Sequence, residues 1–338
     1  MIVLYVDNFG ITYSNKKDLE KLLQDLTDLG FEFTREGTFT DFLSIKFVKD
    51  EVNNTVTLTQ KGLIKKLITG TGMQDCNNHN YTSALQLSLG TDPDGKPMDE
   101  FWSYRSIVGT VFYLSTNTCP DITYAVSQVA QFNHNPKKSH ASAIKTIIQY
   151  LKRTEDKGTI GVTPTGTLAL DCFVDANFAG LHGRDPDYSS ASSAKSRTGY
   201  IIMLGGCSIL WKSQLQTEIS LSTLESEYSA LSASMRTLLP LRSLLGEIVK
   251  ELKLPPDFKS TISCRVFEDN NGALLLATKQ RITDQTKYFL VKWHYFWHHG
   301  TNGDVQVLKI ATTNQLADYL TKGLNRKTFE RIRKLAQG

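Results

Sequence analysis

Residues 173–180 read FVDANFAG, and this stretch decides how the second half of the chain is read. Leu168–Asp175 is an apolar run that stops on a carboxylate, the pattern of a strand ending at a sheet edge. Gly199–Leu204 and Cys207–Trp211 are two more strand-sized runs, and Gly205-Gly206 between them suits a tight hairpin. Ser222–Glu251 carries a helical pattern, and its opening Ser222-Thr223-Leu224-Glu225 has capping-box spacing. Pro240 is expected to kink or divide that helix, and Pro255-Pro256 to close it. Ser263–Glu268 reads as a fourth strand, followed by helices at Asn271–Thr278 and Tyr288–His299. Asp304–Ile310 reads as a fifth strand and Asn314–Gly323 as a last core helix. This order predicts a mixed α/β fold, a five-stranded mixed sheet flanked by helices.

Four carboxylates stand at the ends of these elements. Asp175 ends the first strand, Glu227 lies one turn into the long helix, Asp269 follows the fourth strand and Asp318 is in the last helix. Strand ends and adjoining helices converge at one edge of a sheet. Clustered carboxylates raise one another's pKa unless cations neutralise them. An all-oxygen set suits Mg²⁺ or Mn²⁺. Two such ions, about 3.5–4 Å apart, activate a water and stabilise the leaving oxygen of a phosphodiester. The competing reading is that these acids are ordinary caps and surface charges. Glu225 has a structural task available, because it lies three residues after Ser222 and can fold back on the helix start.

Upstream, Ile2, Leu4 and Val6 alternate, Phe9–Tyr13 follows, and Asp7-Asn8 suits a turn between two strands. Leu19, Leu22, Leu23 and Leu26 mark a helix that Gly30 ends. Phe31–Phe33 and Phe42–Val48 read as strands, and Thr57–Gln60 as a short strand entering a helix at Lys61–Thr69. Asp75–Met98 reads as a long linker, and helices are expected at Trp102–Leu114, Asp121–Phe132 and Ser139–Leu151.

The chain has 338 residues, 40% hydrophobic and 21% charged, enough for roughly two domains of about 150 residues and unlike a disordered chain. No apolar run approaches the roughly 18 residues of a membrane span. The start, MIVLYVDNFG, lacks a basic n-region, so secretion is not expected. The five cysteines form no CxxC pair, which reads as reduced, mostly buried thiols in a cytosolic or nuclear protein. The net charge of +4 hides a gradient: 21 basic against 16 acidic residues lie from Gly166 to the end. Lys322, Arg326, Lys327, Arg331, Arg333 and Lys334 crowd the last stretch, which points to a polyanionic partner or to a solvated helix face.

The ordered set FVDANFAG, RTGYIIMLGGCSILWKS (197–213), LSTLESEYSAL (221–231), FEDNNGALLLA (267–277) and QLADYLTKGL (315–324) resembles the RNase H domain of copia-type retrotransposon polyproteins. LYVDNFG (4–10) resembles the YVDD turn of the same family's reverse transcriptase. Residues 104–126 and 140–158 resemble the segment joining polymerase to RNase H. The resemblance implies a truncated palm and thumb remnant over 1–95, a helical connection over 96–164, an RNase H-like domain over 165–325 and a basic tail over 326–338. It implies that Asp175, Glu227, Asp269 and Asp318 bind two Mg²⁺ or Mn²⁺ ions. The partner would be an RNA–DNA hybrid, cut on its RNA strand to leave 5′-phosphate and 3′-hydroxyl ends. Location in a cytoplasmic virus-like particle or in the nucleus follows from the same resemblance.

Departures from the family narrow these expectations. The YVDD turn is Asp7-Asn8 here, and an amide is a poorer Mg²⁺ ligand than a carboxylate. With the earlier palm strand also missing, Asp7 is expected to be a remnant and the polymerase inactive. The remainder of a reverse transcriptase is a possible partner. Asn270 has two readings, contact with substrate or a helix N-cap. Lys287 and Lys292 are candidates to meet phosphates, and Lys145, Lys152 and Arg153 to track a duplex backbone. His294 and His298 are spaced i, i+4 but lack further ligands, so a packed aromatic helix face is the better reading. Residues 311–313 carry no histidine where many RNase H enzymes have one. The alternative function is a non-catalytic nucleic-acid-binding remnant of a decayed element.

Overall fold

An unbroken apolar run, Ile2-Val3-Leu4-Tyr5, makes the first strand, β1 (Ile2–Tyr5), with all four side chains exposed; it pairs antiparallel with β2 (Asn8–Ile11). The computed structural model describes residues 2–13, 15–35, 37, 40–77, 81–84, 89–162, 168–180, 182, 191–252, 262–278 and 297–338. Tyr5 pairs with Asn8, so the turn is Val6-Asp7 and not Asp7-Asn8. Val6 is held at φ 49°, a strained place for a β-branched residue. Phe31–Phe33 is not a strand: it finds no ladder partner among the described residues, and Phe33 meets the Phe9 ring edge-on at 5.8 Å. Phe42–Val48 is not one strand either. It divides into β3 (Asp41–Phe42) and β4 (Ile45–Asp50) around Leu43 and Ser44, both at positive φ in a tight hairpin. β5 (Thr55–Thr59) pairs with β4 and with β6 (Thr159–Val162), closing a four-stranded sheet that joins the upstream segment to residues 100 positions later.

The larger sheet has the order β11-β10-β7-β8-β9, with β7 (Ala169–Asn177), β8 (Arg197–Leu204), β9 (Cys207–Leu215), β10 (Ser263–Glu268) and β11 (Gln306–Lys309). β7, β8 and β9 are antiparallel neighbours, while β10 runs parallel to β7 and to β11. Parallel neighbours need a crossover, which the helix Thr223–Leu252 supplies before β10 and Asn271–Thr278 after it. This is the RNase H-like mixed α/β fold. Gly205 and Gly206 make the β8–β9 turn at φ 58° and 86°. Pro240 does not divide the long helix, which runs through it. Burial of Leu231, Met235, Leu238 and Leu239 on the sheet offsets the hydrogen bond that Pro240 removes.

The sheet buries a different core on each face. Leu170, Cys172 and Val174 of β7 pack with Tyr200 and Ile202 of β8 under the long helix. Ile201 and Met203 pack on the opposite side with Val111 and Leu114 of the helix Tyr104–Asn117 and with Ile144, Ile147 and Ile148 of the helix Lys138–Arg153. The helical segment and the sheet therefore share one core. The expected helix at Asn314–Gly323 is much shorter, only Asp318–Thr321. Gln315 has left helical geometry, and its Nε2 donates to the Val174 carbonyl at 2.8 Å.

Residues 326–338, set apart above as a basic tail, form the helix Arg326–Gln337. Asn325 caps it, its Oδ1 accepting from the Thr328 amide at 3.0 Å. Phe329, Ile332 and Ala336 are buried in the shared core. Truncating Phe329 to alanine is expected to cost about 3–5 kcal/mol. Urea unfolding of the full chain measures this, and a loss under about 1 kcal/mol would contradict a structural role for the helix.

Candidate metal centre

Asp175 is brought to the site by its place on β7, opposite Gly199 of β8. A β-carbon added to Gly199 would lie 2.5 Å from Thr321 Cγ2 and 2.9 Å from Leu320 Cβ. Only glycine lets the short helix Asp318–Thr321 lie against the strand here. Across that contact the Thr321 hydroxyl donates to Asp175 Oδ2. Lys322 Nζ stands 2.8 Å from Asp318 Oδ1 and 3.8 Å from Asp175 Oδ2.

The long helix delivers Glu227. The Ser222 cap forms, the Glu225 amide donating to Ser222 Oγ at 3.1 Å, but the return bond falls one residue earlier than in a capping box, with Glu225 Oε2 accepting from the Leu221 amide at 2.7 Å. Glu225 is occupied by the cap, and Glu227 turns into the sheet edge, 5% exposed. Asp269 arrives at the end of β10. One carboxylate oxygen from each of Asp175, Glu227 and Asp269 falls within 4.8 Å of the others.

Burial dominates the electrostatics. It pushes Glu227 up to about 10, with repulsion from Asp175, Glu268 and Asp269 adding to it. Asp318 is raised to about 6 by burial and by the Asp175 charge, against the pull of Lys322. Asp175 is raised by burial, although Lys322 and the Thr321 hydroxyl favour its ionised form. Glu268 is a further acid that sequence reasoning missed. Burial raises it to about 8. Its Oε1 accepts from the Asn270 amide at 2.9 Å, while its Oε2 and Glu227 Oε2 are buried with no hydrogen-bond partner among the described residues. The signal was available: Glu268 continues the alternation Cys264, Val266, whose side chains face the long helix.

Unpartnered buried carboxylate oxygens are costly unless a proton or a cation meets them. Hard oxygen donors at this spacing fit a divalent cation, and Asp175, Glu227 and Asp269 could hold one. Asp318 adjoins this group through Lys322 and Asp175.

The other sequence candidates lie elsewhere or have partners of their own. Asn270 caps the helix Asn271–Thr278, its Oδ1 accepting from the amides of Gly272 at 2.8 Å and Ala273 at 3.1 Å. Lys145 pairs with Glu100 at 2.6 Å, and Lys152 donates to the carbonyls of Gln74 and Cys76. Arg153 lies 3.8 Å over the Tyr81 ring, so Lys152 and Arg153 tie the linker to the helix Lys138–Arg153, and Lys145 holds Glu100 just beyond it. His298 Nε2 lies 3.0 Å from the Asn302 amide nitrogen. Asp7 sits exposed in the first hairpin turn. Lys287, Lys292 and His294 lie outside the described residues.

Comparison with known proteins fixes the lineage. The chain is 31% identical over 329 residues to the retrovirus-related Pol polyprotein from transposon RE1 of Arabidopsis thaliana, a match covering 97% of this chain and 21% of that protein. It is 28% identical over 340 residues to the retrovirus-related Pol polyprotein from transposon TNT 1-94 of Nicotiana tabacum, covering 99% and 24%. The chain belongs to the copia-type retrotransposon Pol family. It spans about a fifth to a quarter of the length of these Pol polyproteins. An uncharacterized mitochondrial protein of Arabidopsis thaliana is 31% identical over 233 residues, covering 68% of this chain and 90% of its own length. No protein-family model matches the chain. Among the described residues no helix is long and apolar enough to cross a membrane.

Acids raised on folding bind more protons folded than unfolded, so the metal-free protein loses stability as pH rises. For Glu227 the window runs from the ordinary 4.5 to about 10. The thermal midpoint in EDTA is expected to fall between pH 6 and pH 8, and Glu227→Gln to flatten that slope. A midpoint that climbs over the same interval would contradict the buried acid cluster.

Proposed function

We propose that residues 165–325 are a ribonuclease H that hydrolyses the RNA strand of RNA–DNA hybrids, using two Mg²⁺ or Mn²⁺ ions held by Asp175, Glu227, Asp269 and Asp318. The observation that carries this reading is the acid cluster at one sheet edge, with Glu227 Oε2 buried and unpartnered. Membership in a retroelement Pol family supports a nucleic-acid substrate. When bound, the cations supply charge neutralisation and an acidified water for phosphodiester hydrolysis.

The chain's own residues do the positioning. Thr321 fixes one oxygen of Asp175, and the Ser222–Glu225 cap sets the helix turn from which Glu227 projects. Both constrain the ligands before substrate arrives, which lowers the reorganisation needed at the reaction. Discrimination for a hybrid would rest on duplex shape and 2′-hydroxyl contacts rather than base reading. Residues 1–95 and 96–164 are read as a reverse-transcriptase remnant and its helical connection, and the basic helix at 326–338 as a structural brace. Polymerase inactivity rests on Asn8, an amide at the position of the family's second turn carboxylate. The same residue favours a second reading, a decayed element that binds nucleic acid without cutting it.

A labelled RNA–DNA hybrid incubated with the full chain and Mg²⁺ separates the two. Cleavage of the RNA strand is expected, reduced by about 100-fold or more in Asp269→Asn. Hybrid binding with no cleavage by the parent chain would leave the binding remnant, and cleavage indifferent to Asp269→Asn would remove the site.

A further inference from the structure

The acid cluster is lopsided. Glu227 Oε2 and Glu268 Oε2 at one end, and Asp318 Oδ1 at the other, are buried with no hydrogen-bond partner among the described residues. At the other end Asp175 Oδ2 and Asp318 Oδ1 share the ammonium of Lys322, at 3.8 and 2.8 Å. We propose that Lys322 is a resident counter-cation that occupies the second cation position, between Asp175 and Asp318, and must withdraw before a second divalent ion binds. This inference rests on the metal-centre reading above and deepens it. The chain then takes a first ion at Asp175, Glu227 and Asp269, and a second only in competition with its own lysine.

The geometry sets the two cations in competition. A Mg²⁺ ion sits about 2.0–2.1 Å from its oxygen ligands. An ammonium 2.8 Å from the same Asp318 oxygen stands within about 5 Å of such an ion, and two like charges so close repel in a partly buried site. The lysine can leave. Its side chain is 39% exposed, so the ammonium has a route to water along a flexible four-carbon stem. Lys322 is the C-cap of Asp318–Thr321: its amide still donates to the Asp318 carbonyl at 3.2 Å, while its own backbone is extended, φ −147° and ψ 155°. Asp318 is four residues back, so the pair forms within one turn without help from another element. Among the described residues, the charges that act most on Glu227 are those of acids, Asp175, Glu268 and Asp269.

Mn²⁺ binding to the full chain tests this by counting ions, with electron paramagnetic resonance of the free ion and with calorimetry. The wild type is expected to bind one ion, with a second at least about tenfold weaker. Lys322→Met is expected to tighten the second ion by about tenfold or more and to leave the first unchanged, while Lys322→Arg keeps the wild-type pattern. Two equal ions in the wild type, or a second ion unmoved in Lys322→Met, would overturn the role of Lys322 and spare the metal centre. Absence of any ion in both proteins overturns the metal-centre reading and this inference with it. If Lys322→Met does not fold, the wild-type count and Lys322→Arg still decide.

Discussion

A carboxylate on the central strand of a sheet is expensive, and Asp175 is 3% exposed. Much of the surrounding structure serves to hold it there. Gly199 on the neighbouring strand leaves room for the helix Asp318–Thr321, which carries Thr321 to Asp175 Oδ2 and Lys322 close behind. Gln315 keeps that helix short by turning its amide to the carbonyl of Val174, next to Asp175 on β7. Asp318 arrives by the same route. The segment that relieves the buried charge thus also brings in the next acid.

That segment is braced from the far side of the sheet. Leu316, Tyr319 and Leu320 belong to the same core as Phe329 and Ile332 of the last helix and Ile144, Ile147 and Ile148 of the upstream helical segment. Polar contacts cross the same boundary. Trp211 Nε1 donates to the Ser115 carbonyl at 2.6 Å, and Arg197 Nη1 donates to Ser127 Oγ at 2.6 Å. The Tyr150 hydroxyl donates to Asp121, and Arg333 Nη1 donates to the Tyr150 oxygen at 3.3 Å. Burial raises the Asp121 carboxyl, so it is kept in place by these donors rather than by water. The helices before the sheet are therefore part of the support for Asp318, not an appended linker.

Legibility from sequence followed the range of the forces involved. The strands of the large sheet, the long helix and its Ser222 cap come from alternation, periodicity and one local hydrogen-bonding pattern, all within a few residues. Errors fell where a distant partner overrode the local pattern. Leu43 and Ser44 carry no glycine or asparagine signal, yet they turn because β4 pairs with both β3 and β5. Phe31–Phe33 had the composition of a strand but pairs with no strand among the described residues. β6 was missed because its partner, β5, lies about a hundred residues earlier. Glu268 was legible from the alternation of its strand but was passed over beside Asp269.

By itself the sequence determined the types and order of the elements that build the large sheet and its long helix. It also singled out the four acids, because strand ends, helix starts and cap spacing are local consequences of side-chain chemistry. It assigned Glu225 to the cap on the same grounds. The tertiary structure decided which oxygens meet. It put Asp175, Glu227 and Asp269 within 4.8 Å of one another, buried Glu268 behind them and placed the Lys322 ammonium between Asp175 and Asp318. Those outcomes depend on strand register, on the close approach that Gly199 permits and on desolvation, and each is a property of packing between elements distant in the chain.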